Sequence, residues 1–154
     1  MCVKNESGEF MNDEEIKQFA KKISVFMYIS CVLWIFVILL QLIIGLVTLI
    51  FGYGLATLGL MVYNIIVTVK YFKNIKFIKS VSNRNMASVM IDYFEDSIPV
   101  CWLFMFINLI LGGFIGFVGN LYELILAYYV KSKKNDLLNP ISSFNERNAA
   151  YEEI

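Results

Sequence analysis

The sequence predicts an all-α polytopic membrane protein: two transmembrane helical hairpins, four spans in all, joined by a cytoplasmic helical connection. Three observations carry this. The chain is almost wholly apolar from Ile23 to Phe72 and again from Ile98 to Val130. One helix needs about 20 apolar residues to cross a hydrocarbon core roughly 30 Å thick, so each run is too long for a single crossing. Each run is punctuated once by paired glycines, Gly52-Tyr53-Gly54 and Gly112-Gly113, which are turn signals. The lysines and arginines avoid both of those turns.

Composition agrees. Of 154 residues, 58% are hydrophobic and 17% charged, against about 45–50% and about 25% in soluble domains. One compact membrane domain is expected. The formal net charge is +0, so no global field favours nucleic acid, and none is expected as a partner.

The elements follow in order. Residues 1–22 are read as a cytoplasmic N-terminus with a short amphipathic helix. Asn12 and Glu15 have the spacing of a capping box, and Ile16, Phe19, Ala20 and Ile23 share one helix face. Acidic residues precede the first apolar run, so it reads as an uncleaved signal anchor rather than a cleaved leader. Residues 23–72 form the first hairpin, with spans from Ile23 to Ile50 and from Leu55 to Phe72. The first is over-long and is expected to tilt.

Residues 73–97 form the connection. Phe72, Ile75 and Ile78 alternate with Lys73, Lys76 and Lys79, a basic amphipathic extension of the second span. Ser82-Asn83-Arg84-Asn85 is a turn signal. Met86, Met90, Tyr93 and Phe94 mark the apolar face of a further short helix, whose acids Asp92, Glu95 and Asp96 are expected to neutralise the basic arm. Ser97 is placed to cap the next helix, with Pro99 in its first turn, where proline is tolerated.

Residues 98–131 form the second hairpin, with spans from Ile98 to Leu111 and from Phe114 to Val130. Both are short, and the alternative is one span followed by a re-entrant segment. Residues 132–154 read as a flexible cytoplasmic tail.

Charge sets the orientation. Lys17, Lys21 and Lys22 precede the first span. Lys70, Lys73, Lys76, Lys79 and Arg84 sit around the connection, and Lys131, Lys133 and Lys134 follow the last span. The positive-inside rule then puts both termini and the connection in the cytoplasm. The abundance of Ile, Asn, Lys and Phe suggests an AT-rich genome, and a bacterial plasma membrane is the expected location.

The absence of histidine removes the commonest metal ligand. Cys2, Cys31 and Cys101 show no CxxC spacing. Neither a metal nor a cofactor is expected, and Cys31 and Cys101 read as core residues. No nucleophile–base pair, phosphate loop or metalloprotease motif is present, so an enzyme is not expected.

The candidate residues are polar groups inside the spans. Glu123 lies within the last span, where an ionisable side chain costs about 2.5–3.5 kcal/mol and should face other helices or a wet cavity. It is expected to be protonated at neutral pH or paired with an amide such as Asn64 or Asn108. Gln41, Asn64, Asn108 and Asn120 place one amide in each span, as interhelical glue or a polar path. Lys70, Lys73, Lys76, Lys79 and Arg84 are candidates for lipid headgroups. Gly45 and Gly59 are candidates for close packing.

The expected function is that of a small integral membrane protein acting through helix contacts, as an accessory, regulatory or immunity/stress component of the cell envelope. The alternative is a small oligomeric transporter or channel for a cation, proton or small molecule using Glu123. A holin-like pore former is the third reading. The expected partners are the lipid bilayer and another membrane protein or a second copy of the chain.

Overall fold

The computed structural model describes residues 11–138. They begin on the capping box. The Asn12 side chain accepts from the Glu15 N–H at 2.9 Å, and the Glu15 carboxylate accepts from the Asn12 N–H at 2.8 Å. These bonds occupy N–H groups that a helix start otherwise leaves unpaired. Helix α1 then runs unbroken over Asp13–Val47. The expected amphipathic helix and first span are therefore one rod.

A 3-10 turn at Leu49–Phe51 and a left-handed Gly52, with φ of 73°, reverse the chain into α2, Tyr53–Ser80. A Cβ on Gly54 would sit 2.3 Å from the Gly45 carbonyl oxygen, so only glycine lets α2 fold back here. Gly45 meets the Leu58 side chain, whereas Gly59 faces open space. The close-packing role expected of Gly59 falls to Gly54.

Asn83 starts the next helix by accepting from the Met86 N–H at 3.0 Å. Helix α3 spans Arg84–Ile107. Ser97 does not cap a helix, contrary to expectation. It and Pro99 lie inside α3, and the Ser97 hydroxyl donates to the Phe94 carbonyl at 2.7 Å. With the cap at Asn83, the N–H groups that Ser97 would have met belong to a helix already under way. Residues 73–97 are thus the ends of α2 and α3 with a short loop between them.

A π-helical turn, Asn108–Gly112, leads into α4, Gly113–Ser132. Contacts join Cys101 with Glu123, Phe104 with Asn120, and Asn108 with Gly116. Each of these pairs is symmetric about residue 112, so α3 and α4 run antiparallel and turn at Gly112-Gly113. Helix α5, Lys134–Leu138, follows. Its Leu137 is fully buried, so the start of the tail expected to be flexible from residue 132 is held to the body of the fold. Expectations for residues 1–10 and 139–154, Cys2 among them, lie outside the described residues.

Helices α1, α2 and α3 are each long and apolar enough to cross a membrane. Helix α1 packs along α2, α3 packs along α4, and α1 joins the two pairs through α4. The backbones of α2 and α3 stay apart over most of their length. The tightest core lies at the end holding Asn12 and Val81, where Ile16, Ile23, Ile75, Ile78, Met90 and Ile91 are fully buried. On α2 the buried face there is Tyr71, Ile75 and Ile78, and Phe72 is exposed. Steps of four and three follow the 3.6-residue period; a strict step of three drifts off the face.

Glu95 also departs from expectation. It pairs with Lys134 at 2.8 Å and Lys131 at 3.8 Å, not with the lysines of α2. Helix α3 packs along α4, so basic residues after α4 lie closer to hand than those on α2. The Glu95 carboxylate in turn holds the Lys134 ammonium above its ordinary pKa.

Proline substitutions should separate helix from loop. Ile75→Pro removes an interior helical bond at a buried site and should cost about 3 kcal/mol or more. Asn83→Pro removes a cap and should cost roughly 1 kcal/mol. Unfolding midpoints in mixed detergent should show the larger loss for Ile75→Pro.

Candidate functional site

The buried stripe of α1 contains Ser30, Trp34, Val37, Gln41 and Gly45, at helical steps of three and four. Polar members of this stripe meet polar groups from the other helices at two levels.

The first level holds Glu123. Its Oε1 accepts from the Ser30 hydroxyl at 2.8 Å and from the Trp34 indole N–H at 2.6 Å. Among the described residues its Oε2 has only the Cys101 thiol, at 4.0 Å. The carboxyl thus ties α4 to α1. Interhelical hydrogen bonds in membranes average a modest ~0.6 kcal/mol, so two of them would offset less than half of the ~2.5–3.5 kcal/mol that a carboxyl costs inside a hydrocarbon core.

The second level is an amide triad. Gln41 donates to Asn108 Oδ1 at 3.1 Å, and Asn64 donates to Gln41 Oε1 at 2.9 Å and more weakly to Asn108 Oδ1 at 3.4 Å. The triad joins α1, α2 and the π-helical turn. Asn108 also donates to the Phe104 carbonyl at 3.1 Å. A Cβ on Gly116 would lie 2.8 Å from Asn108 Oδ1, so this glycine makes room for the amide. Asn120 stays outside the triad and donates to the carbonyls of Phe104 and Gly116. Where the π turn frees carbonyls, Tyr53 donates to Ile110 and Thr57 to Leu111.

The expected pairing of Glu123 with Asn64 or Asn108 does not occur. Gln41, which holds both amides, lies seven residues beyond Trp34, about 10 Å along α1 at 1.5 Å per residue. Glu123 instead meets the donors at its own level. Ser30 and Trp34 were not among the sequence candidates. One signal was legible: Trp34 lies inside a span, away from the interface where tryptophan usually sits.

Glu123 is not sealed off. A cleft of about 270 Å³ opens between α2 and α3, walled by Val67, Tyr71, Tyr93, Asp96 and Ser97, with Glu123 among its lining. Tyr63 stacks on Phe104 with ring centroids 4.3 Å apart, bridging α2 and α3 next to the cleft. A smaller cavity of about 40 Å³ joins Glu123 to Asn64 and Asn120. Tyr71 is 8% exposed, and its buried hydroxyl, near that of Ser30, makes no hydrogen bond of normal geometry among the described residues.

The lipid-headgroup candidates lie apart from this site. Lys70, Lys73, Lys76 and Lys79 are exposed along α2, and Arg84 is half-buried at the start of α3. Among the described residues, no group of three side chains is placed to hold a metal.

No family model, curated protein or solved structure matches the chain.

The hydrogen bonds at Glu123 have a direct test. Glu123→Gln retains an acceptor oxygen and should leave the bundle nearly as stable as before. Glu123→Leu strands the Trp34 and Ser30 donors and should weaken it by roughly 0.6–2 kcal/mol. Trp34 emission during detergent unfolding should report the difference.

Proposed function

We propose that the protein is a four-span plasma-membrane protein with both termini cytoplasmic. It acts through helix contacts as an accessory, regulatory or immunity/stress component of the cell envelope. One observation carries this reading: the buried amides bond to one another, and the outward faces of both helix pairs are left apolar. Gln41, Asn64 and Asn108 are buried, while Val32, Phe36, Ile43, Leu55 and Leu103 are exposed. Such a surface suits lipid and a neighbouring helix alike, another membrane protein or a second copy. The fourth span is supported by the 20 residues of α4, which at 1.5 Å each match a hydrocarbon core roughly 30 Å thick. A bacterial source rests on composition alone.

A second reading is favoured by the cleft that reaches Glu123. Here the protein is a small carrier or channel for a cation, proton or small molecule, and the carboxyl is the working group. The two readings part at Glu123→Gln, which a helix-contact protein tolerates and a carrier does not.

In-membrane crosslinking followed by purification in mild detergent should give a discrete crosslinked species on the helix-contact reading. A chain recovered only as an uncrosslinked monomer counts against it. For topology, single cysteines are introduced after replacing Cys2, Cys31 and Cys101. A cysteine at position 53 should be labelled from outside, and one at position 82 only from inside. Outside labelling at 82 would overturn the four-span arrangement.

A further inference from the structure

The cleft between α2 and α3 combines features that the stapling role of Glu123 leaves unused. Among the described residues the carboxyl takes its two short hydrogen bonds through Oε1, and Oε2 has no partner nearer than the Cys101 thiol at 4.0 Å. Tyr71, more than nine-tenths buried, lines the same cleft with an unpartnered hydroxyl. Asp96 adds a second carboxyl to the lining and has no ion-pair partner among the described residues. The lining contains no basic side chain. It includes the aromatic residues Tyr71, Tyr93 and Phe94, whose rings can attract cations.

A buried hydroxyl without a partner is costly in an apolar bundle, and a carboxylate oxygen met only by a thiol at 4.0 Å is poorly satisfied there. A ligand that relieves both needs several N–H donors on one centre. A positive charge suits the two carboxyls, and an apolar body suits the aromatic walls. Metal ions fit less well, because the described residues offer no third ligand.

We propose that this cleft binds a small primary ammonium compound with an apolar tail, its N–H groups donating to Glu123 Oε2 and to the Tyr71 hydroxyl. Asp96 draws the cation in, and Tyr93 and Phe94 pack against the tail. The cleft, at about 270 Å³, has room for such a molecule. This deepens the second reading above and rests on it only in making Glu123 a ligand-binding group.

The test uses the full chain in detergent micelles, with Trp102→Phe so that Trp34 is the remaining tryptophan. Trp34 donates to the same carboxyl and reports on it. The probe is butylamine, and butan-1-ol is its neutral counterpart. A saturable change in Trp34 emission is expected with butylamine and none with butan-1-ol. Glu123→Gln keeps an acceptor for Ser30 and Trp34 but loses the charge, and should weaken butylamine binding about tenfold or more. Tyr71→Phe should weaken it too while leaving thermal stability unchanged or higher, since it removes an unpartnered hydroxyl. A purely structural role predicts no such split. The proposal fails if butylamine gives no saturable response, if butan-1-ol gives the same one, or if Glu123→Gln binds as tightly as the parent. Uptake into proteoliposomes separates the site from the carrier reading. Amine binding without uptake sustains the site and defeats the carrier. Proton flux that needs Glu123, without amine binding, sustains the carrier and defeats the site.

Discussion

A carboxyl inside an apolar bundle must find hydrogen-bond donors there, and much of the relation between the two helix pairs follows from how Glu123 finds them. Helices α3 and α4 fold on each other as a local hairpin, as do α1 and α2. Away from the apolar core at the Val81 end, hydrophobic area does little to fix one pair against the other, because lipid tails are as apolar as leucine and give helices little reason to prefer each other. Polar bonds fix the register. Ser30 and Trp34 reach from α1 to Glu123 on α4, and Tyr122 donates back to the Phe26 carbonyl at 3.1 Å.

The amide triad does the same work at a second level, with a different division of labour. Gln41, Asn64 and Asn108 come from three segments and satisfy one another. The π-helical turn that carries Asn108 leaves carbonyls to be met by Tyr53 and Thr57. An extra residue per turn is tolerated because α2 supplies those donors. Two polar levels, separated by about two helical turns of α1, resist sliding of one pair along the other better than either would alone. A slip by one turn would strand both sets of donors at once.

The cleft follows from the same arrangement. Helix α1 is the shared partner, so α2 and α3 are held at a distance set by α1 and α4 rather than by each other. The core at the Val81 end and the stacked Tyr63–Phe104 pair bridge the gap, and between them the wall stays open. Glu123 is therefore both a strut and a reachable group. Its two oxygens divide these roles, Oε1 facing donors from α1 and Oε2 left with the distant thiol of Cys101.

The sequence by itself determined what local chemistry determines. The capping box at Asn12 and Glu15, the reversals at Gly52 and Gly112-Gly113, the Ser82–Asn85 break and the apolar lengths of the helices are all properties of a few adjacent residues. So was the choice of Glu123, because a lone acid in an apolar run is costly wherever it lies. Ser97 shows the limit: a serine two residues before a proline has the chemistry of a cap, but the helix had already begun at Asn83. The tertiary structure alone decided partners. That Glu123 meets Ser30 and Trp34 rather than Asn64 or Asn108, that Glu95 meets Lys134 rather than the lysines of α2, and that Tyr71 lines a cleft all depend on which helices lie side by side and at what height. Periodicity gives the face of a helix, but the offset between helices far apart in sequence is set only when all of them pack.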